Sequence, residues 1–149
     1  MKGSLEADRY VILGNHRDSW GFGALDASSG TAALLEVTRV FGKLHKEHNW
    51  TPRRTMIFCS WGAEEFGLIG STEWVEHHIH LLSQRTAAYI NVDTCISGPH
   101  FSPDASPSLM SILRSVSSMV PYIPHSNKSI YESWEEHQSN FLNDFDTTR

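Results

Sequence analysis

At 149 residues, with 40% hydrophobic and 19% charged side chains, the chain is one domain's worth of polypeptide with enough apolar material for a core, which excludes an intrinsically disordered segment. A formal charge of −5 and the lack of any basic run exclude a nucleic-acid binder. No apolar stretch reaches the length of a membrane span and residues 1–5 do not read as a leader, so the expectation is a cytosolic protein or one whose targeting segment lies outside these residues.

The first apolar run, Tyr10–Asn15, reads as a short buried strand and ends in His16-Arg17-Asp18. A glycine-rich loop, 21–30, follows and carries Asp26. Ser29 is the expected N-cap of a helix reaching about Glu47, with Ala33, Val37, Val40, Phe41 and Leu44 as its apolar stripe. Pro52 closes that connection, and Thr55–Trp61 forms a second strand running into Glu64-Glu65, where Gly62, Gly67 and Gly70 permit sharp turns. Gly70, Ser71 and Thr72 open another helix, with Trp74, Val75, Ile79, Leu81 and Leu82 as apolar residues and Glu73 and Glu76 in its first turns, where carboxylates suit the helix dipole. A third strand, 87–92, ends in Asp93. Residues 97–106 read as a polar loop and 108–120 as a helix; beyond Pro121 the periodicity fades, and 126–149 contains no strand. Strands alternating with helices predict an α/β fold: a mostly parallel sheet, right-handed crossovers and helices on both faces.

Acids and an imidazole therefore sit at the carboxyl ends of parallel strands, where open α/β sheets bind ligands. A hydrolytic metal site needs imidazole and carboxylate ligands, an open position for water and a base beside it. His16 supplies a nitrogen ligand, and Asp18, two residues on along the strand, can accept the ring's other N–H. Asp26, on its flexible loop, suits a bridge between two metals, and the Glu64-Glu65 pair offers one carboxylate for a metal and one for water. Other signals are weaker. Gly21-Phe22-Gly23 lacks the third glycine of a dinucleotide loop, and Asp26 would repel a pyrophosphate. His77, His78 and His80 point in different directions around a helix and read as surface residues, as do His45 and His48. Trp20 is the one tryptophan connected to a pocket at this site. Cys59 and Cys95 read as buried or half-buried thiols without a disulfide signature. Asn49-Trp50-Thr51 and Asn127-Lys128-Ser129 would accept glycans in a secreted protein.

The segments Asn15–Trp20, Leu25–Gly30, Ser60–Glu73, Tyr89–Asp93 and Ser129–Trp134 closely resemble the glutamate carboxypeptidase II and N-acetylated-alpha-linked acidic dipeptidase branch of the M28 zinc peptidases. The resemblance is strongest over 8–134, makes 1–149 part of a catalytic domain, and leaves 135–149 as a divergent tail. It implies a zinc-dependent exopeptidase that cleaves peptide substrates with a metal-bound water and Glu64 as general base. It further implies two zinc ions, with His16 and Glu65 on one, Asp93 on the other, Asp26 bridging and Asp18 orienting His16. Glu73 and Glu76 become candidates for a calcium site. A homodimer on the extracellular side of the plasma membrane is implied for the full-length protein.

The chain also departs from that family. No Tyr-His segment, the source of a further zinc ligand, follows the acidic pair, and Phe101–Asp104 lacks the arginine of glutamate-preferring members. A catalytically inactive fragment and a transferrin-receptor-like binding module are the alternatives. Against the binding module stands the clustering of like charges, which a non-catalytic surface has no reason to keep.

Overall fold

The computed structural model describes residues 1–96, 98–123 and 127–146; Ser97 and Ser126, at the edges of the expected loop and tail, lie outside the described residues. Met1–Ser97 forms one compact unit and Gly98–Arg149 a second. The first unit runs β1 (Glu6–His16), α1 (Ser28–His48), β2 (Arg54–Trp61), α2 (Ile69–His77), α3 (Ile79–Arg85) and β3 (Thr86–Asn91). Its sheet is parallel with strand order β2-β1-β3, as the alternating pattern predicts.

Travel across this sheet reverses direction. The step from β1 to β2 goes one way, and the step from β2 to β3 returns past β1. Crossovers of one hand then put α1 and the α2–α3 pair on opposite faces. Side-chain alternation agrees. Ile12 and Cys59 pack with Leu82 of α3, while Phe58, one residue away from Cys59, faces Phe41 of α1 with ring centroids 6.4 Å apart. Phe41 also stacks on Trp50 at 5.4 Å, closing the α1–β2 connection.

Several local expectations are corrected. The N-cap of α1 is Ala27 with no side-chain cap bond; Ser29 lies inside the first turn, buried, and its hydroxyl donates back to the Leu25 carbonyl at 2.5 Å. The buried side of α1 is Gly30 and Leu34, with Phe41 and Leu44 half-buried, whereas Val37 and Val40 are exposed. The single helix expected from Gly70 through Leu82 is broken at His78, which ends α2 and caps α3. Because α2 begins at Ile69, Glu73 and Glu76 lie beyond its first turn and outside the reach of its N-terminal dipole. Both thiols are free, as expected, but Cys95 is exposed; its Sγ lies 3.1 Å from the Ser29 carbonyl.

The second unit holds a 3₁₀ turn at Pro107–Leu109, α4 (Met110–Met119) and α5 (Ile130–Asp146). The expected helix over 108–120 is thus a short 3₁₀ turn continued by α4. Helix α5 is absent from the pattern-based expectation because few apolar residues mark it. A capping box does mark it: the Glu132 N–H donates to Ser129 Oγ at 3.2 Å, and the Ser129 N–H donates to Glu132 Oε2 at 2.7 Å.

Candidate metal centre

Register explains why distant residues meet. Gly14 pairs with Asn91 and His16 with Trp61, and the Val92 N–H continues the β1–β3 ladder by donating to the Gly14 carbonyl at 3.0 Å. One further step along β3 puts Asp93 level with His16. The carboxyl ends of all three strands open onto one edge of the sheet, and Asp18, Asp26, Glu64, Glu65 and Asp93 gather there.

His16 is the hub, with only 2% of its surface exposed. Its Nδ1–H donates to the backbone carbonyl of Asp18 at 2.9 Å, which fixes the ring and turns Nε2 toward the acids. Nε2 lies 2.7 Å from Asp93 Oδ1, 3.0 Å from Asp26 Oδ1 and 3.8 Å from Glu64 Oε2. Two donor sets result, His16–Asp26–Asp93 and His16–Glu64–Glu65, each with ligand atoms within 4.8 Å of one another. Among the described residues, no arginine or lysine forms an ion pair with these acids; Arg17, next in the chain, donates instead to the Ser60 carbonyl.

Electrostatics follows from the crowding. Burial works against a charged His16, but the hydrogen bond and negative charge of Asp93, the Asp18 carbonyl and Glu64 outweigh it and raise the ring's pKa. Burial and the neighbouring charges of Asp93, Glu65 and Asp26 raise the Glu64 carboxyl above its usual range, against the opposing pull of His16. A proton on Nε2 would face these carboxylates with no arginine or lysine ion-paired to them among the described residues. A divalent ion that accepts one imidazole nitrogen and several carboxylate oxygens matches this donor set; an ion that demands oxygen alone does not.

Asp18 does more than the sequence suggested. Strand β1 ends at His16, so Asp18 is not on the strand, and it is its backbone carbonyl that holds the ring, with the nearest carboxylate oxygen at 3.6 Å. The carboxylate instead accepts the backbone N–H of Glu64 at 3.0 Å and of Glu65 at 3.2 Å. Burial opposes its ionisation, but those two N–H groups prevail and lower its pKa. Asp18 therefore clamps the acidic turn as well as the histidine.

Other residues sort more simply. Asp93 holds the shortest carboxylate approach to His16 Nε2. Glu73 and Glu76 are exposed on α2 and belong to no metal-type cluster among the described residues. Trp20 stands at the site's rim, 66% exposed and edge-on to Phe66 at 4.8 Å. Residues missed by sequence reasoning are those that join the elements together: Asn15, whose amide donates to the Val92 carbonyl at 2.8 Å and accepts from the Thr31 hydroxyl at 2.6 Å, and Gly30. A Cβ on Gly30 would overlap the carbonyl oxygens of Val92 and Asp93. Their sequence signals were faint: a polar residue at the end of an apolar run and a glycine early in an expected helix.

Comparison with known proteins places these elements in a family. The model of Peptidase family M28 matches residues 1–135. Over 134 residues the chain is 52% identical to Probable glutamate carboxypeptidase LAMP1 of Arabidopsis thaliana, an alignment covering 90% of this chain and 20% of that protein. Over 135 residues it is 51% identical to Aminopeptidase NAALADL1 of Mus musculus, covering 90% of this chain and 18% of the relative. Glutamate carboxypeptidase 2 homolog of Caenorhabditis briggsae is 42% identical over 140 residues, covering 90% and 18%. The chain spans about a fifth of the length of these relatives.

Proposed function

This chain belongs to Peptidase family M28 and is a metallopeptidase by ancestry; from that premise we propose that the whole protein is a zinc-dependent exopeptidase of the glutamate carboxypeptidase type. The observation that carries the reading is the convergence of Asp26, Asp93 and Glu64 on Nε2 of buried His16, with no ion-paired arginine or lysine among the described residues to offset them.

His16, Asp26 and Asp93 would hold one zinc, and Glu65 would contribute to a second together with a ligand from elsewhere in the whole protein. Zinc bound there would supply Lewis acidity to the scissile carbonyl and lower the pKa of water. Glu64, whose Oε2 stands farther from His16 Nε2 than the nearest oxygens of Asp26 and Asp93, is the base that takes a proton from the attacking water and returns it to the leaving nitrogen. The Asp18 carboxylate keeps both carboxylates of the turn presented by holding their backbone N–H groups. Burial of the His16 ring and its Nδ1–H bond hold the hub in one orientation.

The substrate is a peptide. The names of the relatives span carboxypeptidases and an aminopeptidase, so the assay pairs substrates of both kinds. A calcium at Glu73 and Glu76 would need ligands from the rest of the protein. Among the described residues no helix is long and apolar enough to cross a membrane. A homodimer at the outer face of the plasma membrane is proposed from family resemblance, and the exposed Asn49 of the first sequon suits that side. The test is hydrolysis of acidic dipeptides and of amino-terminal reporter peptides by the purified whole protein. Turnover abolished by a chelator and restored by zinc is expected; turnover indifferent to chelation overturns the reading.

A further inference from the structure

We propose that Asn15 is a positioning residue of the metal centre: its amide ties α1 to the segment after β3 and so sets the spacing of Asp26 and Asp93 about His16. The inference rests on the metal-site reading above. Asp26 lies just before α1, Asp93 just after β3 and His16 at the end of β1, so no single element determines how far apart the three stand. Asn15, 1% exposed and adjacent to His16, touches both of the other elements. Its Nδ2 donates to the carbonyl of Val92, the residue before Asp93, at 2.8 Å. Its Oδ1 accepts from Thr31 Oγ1 in the first turn of α1 at 2.6 Å.

The amide has one workable orientation. Reversed, its oxygen would face the Val92 carbonyl, and two acceptors would meet in a buried site. A hydrocarbon of similar size would fill the space without the tie. The Val92 carbonyl would lose its side-chain donor, and the Thr31 hydroxyl would turn to its second neighbour, the His16 carbonyl at 3.3 Å. Direct packing of Gly30 on the Val92 and Asp93 carbonyls leaves the helix close to the strand end, but contact alone does not determine where along that end it sits. The Asn15 bonds do. Like-charged Asp26 and Asp93 tend to separate, and the tie opposes that separation across the elements that carry them.

Zinc affinity by competition with a chelating dye, the visible spectrum of bound Co(II), and metal-free thermal unfolding test the proposal on the 149-residue chain. The variants are Asn15→Ala, Thr31→Val, Thr31→Ser and, as a control in the core away from the site, Leu82→Ala. Expected are zinc binding about ten- to a hundredfold weaker for Asn15→Ala and Thr31→Val, the range seen when groups orienting metal ligands are removed, and an altered Co(II) spectrum. Thr31→Ser, which keeps the hydroxyl, retains wild-type affinity and spectrum. Leu82→Ala melts at lower temperature yet keeps the wild-type spectrum, which separates positioning from general destabilisation. Should Asn15→Ala fail to fold, the Thr31→Val and Thr31→Ser pair decides. Wild-type affinity and spectrum in Asn15→Ala or in Thr31→Val overturn the role of Asn15. Failure of the unaltered chain to bind zinc overturns the metal-site reading itself, and the inference with it.

Discussion

Glu64 and Glu65 are neighbours in sequence with different surroundings. Glu64 approaches the His16 ring and has its pKa raised by burial and by the acids around it, while both backbone N–H groups of the pair are held by Asp18. If Glu64 is the base, Glu64→Gln in the whole protein leaves zinc content near normal and cuts turnover by about two orders of magnitude or more, the usual worth of general-base catalysis. Glu65→Gln lowers zinc content instead. Metal analysis beside steady-state kinetics reads both, and zinc loss confined to Glu64→Gln reverses the assignment. Asp18→Ala removes the acceptor for both N–H groups without removing a metal ligand. It should still weaken zinc binding, by about ten- to a hundredfold on the scale of other orienting groups, and equilibrium dialysis measures it.

Elements bring these residues together by register and close approach. The first turn of α1 presses on the end of β3 because residue 30 has no side chain; its Cβ would strike backbone carbonyls that cannot rotate away. Buried Ser29 adds a bond here, its hydroxyl accepting the Cys95 N–H at 3.2 Å. Gly30→Ala must therefore push α1 off the strand end. A stability loss of about 1–3 kcal/mol is expected, the range for overpacking a filled interior, together with weaker zinc binding. Denaturant unfolding of the metal-free chain measures the first effect and dye competition the second. In the second unit the capping box of α5 predicts that Ser129→Ala costs about 1 kcal/mol of stability, with no change in metal binding.

At the scale of the whole molecule, the first unit is a metal-type cluster at the open edge of a three-stranded sheet. Strand β3 pairs with β1 on one side, and Tyr89 and Ile90 are exposed along it; Trp20, Phe22 and Phe66 are exposed as well. Exposed apolar surface, and a strand edge with no partner strand among the described residues, favour association. The 149 residues correspond to about a fifth of the relatives' length. We expect this chain by itself to bind zinc and to show negligible peptidase activity even when loaded. Crowded carboxylates destabilise the metal-free fold, so zinc should raise the melting temperature and a chelator should reverse the shift. Differential scanning fluorimetry with and without zinc tests the first statement. Chelator-sensitive turnover of reporter peptides by the 149-residue chain would refute the second.

Much of this was legible in the order of residues. Apolar runs of strand length, three of them running into an acid or a histidine, predict a parallel α/β sheet with His16, Asp26, Glu64, Glu65 and Asp93 at the edge where its strands end, because side-chain period and the geometry of strand ends are local properties. The capping box of α5 was also local, and visible as Ser129 and Glu132. Distances between elements were not. That Asp93 stands 2.7 Å from His16 Nε2 depends on β1–β3 register. That Asp18 spends its carboxylate on the acidic turn depends on where β1 stops and how the chain bends after β2. Asn15, Thr31 and Gly30 look ordinary in sequence, since their importance arises from buried contacts across 15 to 77 residues of chain. Only the tertiary structure decides such contacts, because they form when α1 and the end of β3 dock on β1 and each buried polar group must find its partner there.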